Sequence, residues 1–327
     1  MSEGYQHKIQ TEKDNVLSTT EGLLDTKQWT RKEGKVRDSY LSSDKVLLVT
    51  TDRVSAFDRH LASIPFKGQV LNQVSAWWFQ HTSHIVPNHL LSTPDPNASL
   101  CKKCKVFAVE FVVRGFITGT TGTSLWTHYE KGERLYCGIT FPDGLIKNQR
   151  LAAAVLTPTT KNDEHDQLIS AAEIVEQGLM TEGEYRQVEE KALALFAYGQ
   201  EVAKKNGLLL VDTKYEFGKD EDGNIIIVDE IHTPDSSRYW IEGSYEENMR
   251  EKREPESIDK DIIRRWFKER CDPYKDLTLP EAPDHLRVLL AERYIQLFEM
   301  ITGEKFSFGD QTPIKERLQK NLSSFFQ

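Results

Sequence analysis

The feature that most constrains this chain is a charged β-hairpin. Apolar runs predict one strand over 207–218 and a returning strand over 225–232, and the Asp222-Gly223 pair between them is typical of a tight hairpin turn. If these two residues form the turn, Glu216 lies directly opposite Asp229. Like charges in that position destabilise a sheet unless a cation or a shared proton lies between them. The hairpin therefore predicts a cation site or, with a different turn register, a charged face exposed to solvent.

The cation that suits this hairpin is magnesium bound to a nucleotide. Because side chains alternate along a strand, Asp212 and Lys214 lie on the same face as Glu216. Mg²⁺ prefers oxygen ligands, and proteins often bind it through one or two carboxylates together with the phosphates of a substrate. The hairpin thus predicts a metal–nucleotide site.

A second strand carries two more charges. The run 106–115 is almost continuously apolar, which predicts a strand buried on both faces, and Glu110 and Arg114 lie on one of these faces. Because burying isolated charges is costly, the two residues either neutralise each other or hold Arg114 ready for an anion, whose oxygens its planar fork matches. The glycines and hydroxyl residues of the following loop, 115–124, let backbone amides approach an anion, although the loop matches neither standard glycine-rich phosphate motif.

Length and charge exclude several classes of protein. At 327 residues the chain is long enough for two subdomains, and its net charge of −9 argues against a general nucleic-acid binder, which is usually basic. No apolar run approaches the roughly 18 residues of a membrane span. The polar segment 1–20 lacks the apolar core of a signal peptide, and we expect it to be a loose tail. These features predict a cytoplasmic protein that binds neither nucleic acid nor membrane.

The cysteines allow two interpretations. Cys101-Lys-Lys-Cys104 has the spacing of a zinc knuckle or a redox pair, but zinc needs four ligands and no second pair follows, since Cys137 and Cys271 stand alone. We expect two reduced thiols, with a zinc-dependent interaction protein as the alternative.

Local patterns predict strands early in the chain and helices in its last third. The expected elements are strands at 33–40 and 45–50, loops at 52–58 and 91–101, and helices at 67–79, 170–176, 258–270 and 285–301. Thr181 and Glu184 have the spacing of a capping box, which predicts the start of a further helix that ends at Gly207.

Six ordered blocks of sequence resemble one enzyme family. The blocks are Gly34-Lys-Val-Arg-Asp, Asp52-Arg-Val-Ser-Ala-Phe-Asp, Glu110-Phe-Val-Val-Arg-Gly, Lys161-Asn-Asp-Glu-His-Asp, Val211-Asp-Thr-Lys-Tyr-Glu-Phe-Gly and Asp229-Glu-Ile-His-Thr-Pro-Asp-Ser-Ser-Arg. Over this span the chain resembles the phosphoribosylaminoimidazole-succinocarboxamide synthases, or SAICAR synthetases, of purine biosynthesis. The resemblance implies an α+β, two-lobed fold with a mostly antiparallel N-terminal sheet, an ATP cleft between the lobes and a helical C-terminal segment.

The sequence pattern and the resemblance together predict a division of the chain, with the boundary between the lobes placed by the glycine content of 115–123. The predicted divisions are a polar tail at 1–20, an N-terminal nucleotide-binding lobe at 21–115, a second α+β lobe with the metal and substrate site at 116–250, and a helical C-terminal segment at 251–327. The resemblance also implies a reaction. The implied reaction joins L-aspartate to carboxyaminoimidazole ribonucleotide (CAIR) while ATP is cleaved to ADP and phosphate, with Mg²⁺ as cofactor. The partners are therefore small molecules, and a monomer is plausible.

Individual residues receive roles from this resemblance. Lys214 and Asp229 are the implied catalytic residues, and Glu216 and Asp229 the implied metal ligands. The implied ATP-binding residues are Lys35, Val106, Glu110, Lys161 and Lys214. The implied substrate-binding residues are Arg114, Thr120, Arg238, Asp235, Ser236, Ser55, Asp58, Asp163 and Asp166. Some relatives have serine at the position of Thr120, which keeps the hydroxyl.

Several of these residues also have a structural interpretation. Asp163 and Asp166 can cap a helix, and Asp235 and Ser236 can shape the turn after a proline. A small-molecule kinase would use the same metal and phosphate groups and would stop at the phosphorylated product, so it remains a second candidate for the activity.

Overall fold

The computed structural model describes residues 3–24, 28–57, 59–161, 167–258, 260–309 and 312–325. Within these ranges the strands end at Ile241, and the regular elements that follow are helices. In chain order the elements are α1 (Glu3–Thr11), β1 (Thr30–Glu33), β2 (Arg37–Leu41), β3 (Lys45–Thr50), β4 (Arg53–Ala56), β5 (Arg59–Ser63), α2 (Lys67–His81), β6 (Leu90–Asp95), β7 (Ala98–Lys102), β8 (Lys105–Phe116), α3 (Leu125–Tyr129), β9 (Leu135–Tyr136), β10 (Ile139–Thr140), β11 (Arg150–Leu156), β12 (Thr159–Thr160), α4 (Ala171–Glu176), α5 (Glu182–Lys205), β13 (Leu208–Lys219), β14 (Ile225–Val228), β15 (Ser237–Ile241), α6 (Glu242–Arg250), α7 (Asp261–Lys268), α8 (Asp284–Thr302), α9 (Ile314–Leu322) and a 3-10 helix (Ser323–Phe325).

The first sheet is antiparallel and has the strand order β1-β2-β3-β7-β6. The predicted hairpin between β2 and β3 is confirmed, since Leu41 pairs with Val46 across the turn at 42–44. The loop predicted at 91–101 is wrong, because β6 and β7 form a second hairpin there. Pro94 lies in β6, at the edge of the sheet, where a missing amide N–H breaks no hydrogen bond between strands.

The segment predicted as a polar loop at 52–58 also contains a strand. β4 pairs with β5 in a separate two-stranded sheet. In β4 the side chains of Arg53, Val54 and Ala56 are buried and that of Ser55 is half-buried. The polar residues Arg53 and Ser55 within this short strand concealed it.

The second sheet holds the candidate site. Its main order is β11-β8-β13-β14, with β12 paired to β8 and β15 paired to β13, and all of these pairs are antiparallel. The chain passes from the first sheet to the second between Lys102 and Lys105. The α+β class with antiparallel sheets is confirmed.

Helix α5 covers one face of the second sheet. The predicted capping box at its start is confirmed: the Glu184 amide donates to Thr181 Oγ1 at 3.2 Å, and the Thr181 amide donates to Glu184 Oε2 at 2.8 Å. The buried residues of α5 include Val188, Leu195 and Phe196, and the helix packs on β13. The opposite face of β13 is therefore left to carry charged side chains.

The N-terminal segment is packed, so the expectation of a loose tail is wrong for residues 3–20. Ile9 of α1 is fully buried, α1 packs on α8, and Tyr5 Oη donates to Glu299 Oε1 at 2.6 Å. The C-terminal helices pack back in the same way, with α8 on α2 and with the fully buried Leu318 of α9 in a core shared with the first sheet. No helix in the described ranges is long and apolar enough to cross a bilayer.

Candidate active site

Strands β8 and β13 position most of the charged side chains of the site. In their antiparallel register Asp212 pairs with Arg114 and Glu216 pairs with Glu110, with Lys214 between the two pairs. Because side chains alternate, the three β13 residues project from one face, as the sequence predicted. The register also places Glu110 directly opposite Glu216, and sequence reasoning missed this carboxylate pair.

The hairpin register predicted from the sequence is wrong by one residue. Glu216 pairs with Val228 and not with Asp229. The turn between β13 and β14 has five residues because Asp220 Oδ1 accepts the Asn224 amide proton at 2.8 Å, which closes a wider loop than a two-residue turn. Asp229 follows the end of β14 with φ of 64°, so its side chain leaves the alternation of the strand.

Lysines lie between the opposed carboxylates. Lys214 Nζ lies 2.6 Å from Glu110 Oε1 and 2.9 Å from Glu216 Oε1, and Lys161 Nζ contacts Glu216 Oε2. Burial alone would raise the pKa of Glu216, but the positive charges of Lys214 and Lys161 outweigh it and hold that pKa well below its usual range. The pair of carboxylates is thus stable at neutral pH because cations already neutralise it.

Arg37 brings the first sheet to this charged cluster. It lies at the start of β2, and its guanidinium group lies 3.2 Å from Asp229 Oδ1 and also contacts Glu230. The Asp229 side chain is 29% exposed. Its pKa is raised, first by burial and then by the charges of Glu216 and Glu230, while Arg37 acts in the opposite direction. The carboxylates of Asp229 and Glu216 therefore interact electrostatically, although the two residues are not paired in the sheet.

The sequence analysis missed Arg37 although it quoted the block that contains it. Arg37 is half-buried at the first position of β2, and its role depends on how the first sheet faces the second, which no local pattern contains. Lys35, the residue of this block to which the resemblance gave a role, lies in the exposed turn between β1 and β2.

Two arginines share one carboxylate further along the same face. Asp212 pairs with Arg114 on β8 and with Arg238 on β15. Arg238 Nη1 donates to Asp212 Oδ2 at 2.7 Å, and Arg114 Nη1 lies 3.8 Å from the same oxygen. Arg114 is further held by Thr157 Oγ1, to which its Nε donates at 2.9 Å. Both guanidinium groups are thus fixed in place. Two arginines and one aspartate leave this group of three side chains with a net positive charge.

A recess beside these arginines is lined by the glycine-rich loop and by α7. Thr120 and Arg238, both predicted substrate-binding residues, line it together with Arg264 and Arg265 of α7. Arg238 and Arg264 also line an adjoining recess that contains Asp235, Ser236 and Lys260. The sequence analysis missed the α7 cations because they lie beyond the blocks that carry the resemblance. Their only local signal is the Arg264-Arg265 pair in an amphipathic helix.

The other predicted site residues are more scattered. Val106 of β8 is 43% exposed, and Ser55 of β4 is half-buried. Asp235 has a structural partner, since its Oδ2 lies 2.8 Å from the ammonium group of the fully buried Lys67. Burial would raise the pKa of Asp235, but Lys260 and Lys67 hold it below its usual range. Asp58, Asp163 and Asp166 lie outside the described residues.

Known proteins resemble this chain in sequence and in structure. A family model described as SAICAR synthetase matches residues 30–280. The phosphoribosylaminoimidazole-succinocarboxamide synthase of Legionella pneumophila (strain Lens) is 59% identical over 291 residues, which cover 89% of this chain and 93% of that protein. A solved SAICAR synthase from Saccharomyces cerevisiae complexed with SAICAR has a TM-score of 0.74 and 32% identity, covering 88% of this chain and 98% of its own. A solved SAICAR synthetase in complex with ADP has a TM-score of 0.65 and 27% identity, covering 85% and 100%.

Proposed function

This chain belongs to the SAICAR synthetase family, and on that basis we propose that it joins L-aspartate to CAIR and cleaves ATP to ADP and phosphate. The observation that carries the proposal is the row of charges on one face of β8, β13 and β15. The end at Lys214 has carboxylates and ammonium groups suited to a metal-bound triphosphate, and the end at Arg238 has guanidinium groups suited to a second anionic substrate. The solved relatives complexed with SAICAR and with ADP support the choice of substrates.

The chemistry of the substrates requires activation of a carboxylate. In the proposed sequence an oxygen of the CAIR carboxylate attacks the γ-phosphorus of ATP, the bond from that phosphorus to the β,γ-bridging oxygen breaks, and ADP leaves. The aspartate amine then attacks the carbonyl carbon of the acyl phosphate. Phosphate leaves with the electrons of the C–O bond, and the nitrogen loses a proton. Such phosphoryl transfer depends on alignment and on neutralisation of charge more than on covalent help from the protein.

We assign the nucleotide to the end of the row that contains Lys214. Lys214 and Lys161 have flexible ammonium groups that already contact carboxylates, so phosphate oxygens can replace or share these contacts. Glu110 then keeps Lys214 oriented. We assign Lys35 to the phosphates and Val106 to the adenine, as the resemblance implies.

The residues at this end fit a magnesium ion. Glu216 and Asp229 carry the hard oxygen ligands that Mg²⁺ prefers, and each raises the free energy of the other's charged form, which an added cation would relieve. The described residues contain no group of three or more His, Cys, Asp or Glu side chains arranged to hold a metal, so we assign the remaining ligand positions to phosphate oxygens and water. We propose that Glu216 and Asp229 hold Mg²⁺, which when bound would neutralise charge on the triphosphate. Arg37 orients Asp229 for this role.

We assign CAIR to the arginine end of the row. Arg114 and Arg238 would bind its phosphate or carboxylate, and Thr120 would donate a hydrogen bond from the loop. Asp212 lies beside both guanidinium groups. Arg114 also donates to Thr157, Thr123 and Tyr136, so the substrate oxygens would share or replace such protein contacts. The remaining residues proposed to lie near CAIR or L-aspartate are Ser55, Asp58, Asp163, Asp166, Asp235 and Ser236.

We propose that the nucleotide lies between the 21–115 part of the chain and the Lys214 end of the charged row, with the metal and substrate site mainly on 116–250. We further propose a monomer as the working unit and the cytoplasm as the compartment. Measurement of the molecular mass in solution tests the monomer, and imaging of the tagged protein tests the compartment.

Product analysis by mass spectrometry tests the function directly. With ATP, Mg²⁺, L-aspartate and CAIR, we expect SAICAR and ADP in equal amounts. Glu216→Gln should form neither product, whereas Glu221→Gln, an exposed carboxylate in the turn of the same hairpin, should behave as the wild type. ADP formed with CAIR but without any succinocarboxamide product would identify a kinase and refute the ligase.

A further inference from the structure

Lys268 connects two loops that we assign to the substrates. It is the last residue of α7, and its Nζ lies 3.3 Å from Thr120 Oγ1 in the glycine-rich loop. The same ammonium group lies 5.5 Å from the centre of the Phe57 ring, in the segment that contains Ser55. Lys268 lies outside the six sequence blocks and outside the row of charges on β8, β13 and β15.

The contact with Thr120 determines the direction of the hydroxyl proton. An ammonium group can only donate, so Thr120 Oγ1 accepts from Lys268 through a lone pair and its own proton points elsewhere. Thr120 is exposed at the recess that Arg238 and Arg264 line. A hydroxyl in this orientation is a donor, which is what an anionic phosphate oxygen requires.

The fold holds Lys268 in this place. Ile263 and Phe267 are fully buried and anchor α7 to the core, while Arg264 Nη1 donates to Asp261 Oδ1 at 2.8 Å at the start of the helix. Phe57 has φ of 57°, a left-handed conformation that is uncommon for an aromatic residue, and its ring offers a face to the ammonium group. The end of α7 also favours a positive charge because of the helix dipole.

We propose that Lys268 is a positioning residue that orients the Thr120 hydroxyl as a hydrogen-bond donor to the phosphate of the ribonucleotide. The identity of the substrate in this statement rests on the proposed function. Lys268 acts through Thr120, so its effect exists only while that hydroxyl is present.

A double-mutant cycle tests this dependence. Lys268→Met should raise KM for CAIR about threefold to tenfold, the range expected for one hydrogen bond, with kcat nearly unchanged. Thr120→Val should raise KM at least as much, and the double variant should be no worse than Thr120→Val alone. Lys268→Arg and Thr120→Ser should restore most of the affinity. Lys275→Met, which removes an exposed lysine from the segment after α7, is the matched control and should leave KM unchanged.

A binding measurement separates this inference from the proposed function. Aminoimidazole ribonucleotide lacks the carboxylate that is phosphorylated but keeps the ribose phosphate, so calorimetry with it reports on the phosphate contacts without turnover. Binding that weakens in Lys268→Met only when Thr120 is present supports the positioning role even if no SAICAR is formed. Losses that add in the double variant, or an unchanged affinity in Lys268→Met, overturn it even if the wild type is an active ligase.

Discussion

Replacing Lys214 by methionine should expose how strongly the opposed carboxylates of β8 and β13 repel each other. Lys214 Nζ lies 2.6 Å from Glu110 and 2.9 Å from Glu216, and both carboxylates are buried. Directly opposed side chains lie about 5 Å apart, and two like charges at that distance repel by about 3 kcal/mol at an effective dielectric constant of about 20. Lys161 still contacts Glu216 in the variant, so we expect a loss of about 2–3 kcal/mol in the free energy of unfolding.

The pH dependence of this loss gives the sharper test. In the wild type the pKa of Glu216 is lowered, so its contribution to stability is present above the pKa of the unfolded chain and is lost as the pH falls. In Lys214→Met one of the two carboxylates should have a raised pKa, so the repulsion is present at high pH and disappears as the pH falls through that value. The difference in the free energy of unfolding between wild type and variant, measured by urea denaturation, should therefore decrease from about pH 8 to about pH 5.

Two further variants check the explanation. Glu110→Gln in the Lys214→Met background removes the repulsion and should recover most of the lost stability, whereas Glu221→Gln, on the exposed turn, should recover none. If the difference in the free energy of unfolding stays constant with pH, or if Glu110→Gln does not reduce it, the proposed repulsion between Glu110 and Glu216 is refuted.

Two other predictions concern the metal ligands and the buried histidines. Glu216→Gln and Asp229→Asn should each abolish turnover while circular dichroism shows an intact fold, and near-normal rates in both variants would contradict the metal assignment. His89 and His232 are buried, and burial lowers the pKa of each to about 3 from 6.5, so the unfolded chain binds protons first as the pH falls. The free energy of unfolding should then decrease by about 1.4 kcal/mol per pH unit for each histidine from about pH 6 downward, beyond what the carboxylates contribute. His232→Gln should flatten this dependence in a denaturation series, whereas a change at the exposed His84 should not.

Local sequence patterns predicted the helices and strands of this fold better than they predicted which strands pair and in which register. The α5 capping box and the β2–β3 hairpin depend on residues a few positions apart, and the structure confirms both. The pairing of Glu110 with Glu216 joins β8 to β13, which are far apart in the sequence, and no local pattern contains that information. The hairpin register failed for a local reason, because the Asp220 side chain stabilises a wider turn.

The sequence blocks cover only part of the candidate site. Lys214 and Arg238 lie in blocks, and the structure places each within a charged cluster. Arg37 needed knowledge of how the first sheet faces the second. Arg264 and Lys268 needed the position of α7, which comes from tertiary packing of Ile263 and Phe267 rather than from any motif.

The unbroken pairing of β13 with β8 has a consequence for substrate selection. From Asp212 to Glu216 the register is continuous, and the irregularities lie outside this stretch. A strand rises about 3.3 Å per residue, so the two ends of the charged row stand about 13 Å apart at a distance set by the main chain. On the proposed substrate assignment, the main chain of β13 therefore fixes the distance between the nucleotide and the second anionic substrate. Exchanging side chains can change how tightly each end binds, but accepting a longer or shorter pair of substrates would require inserting or deleting residues in the strand itself.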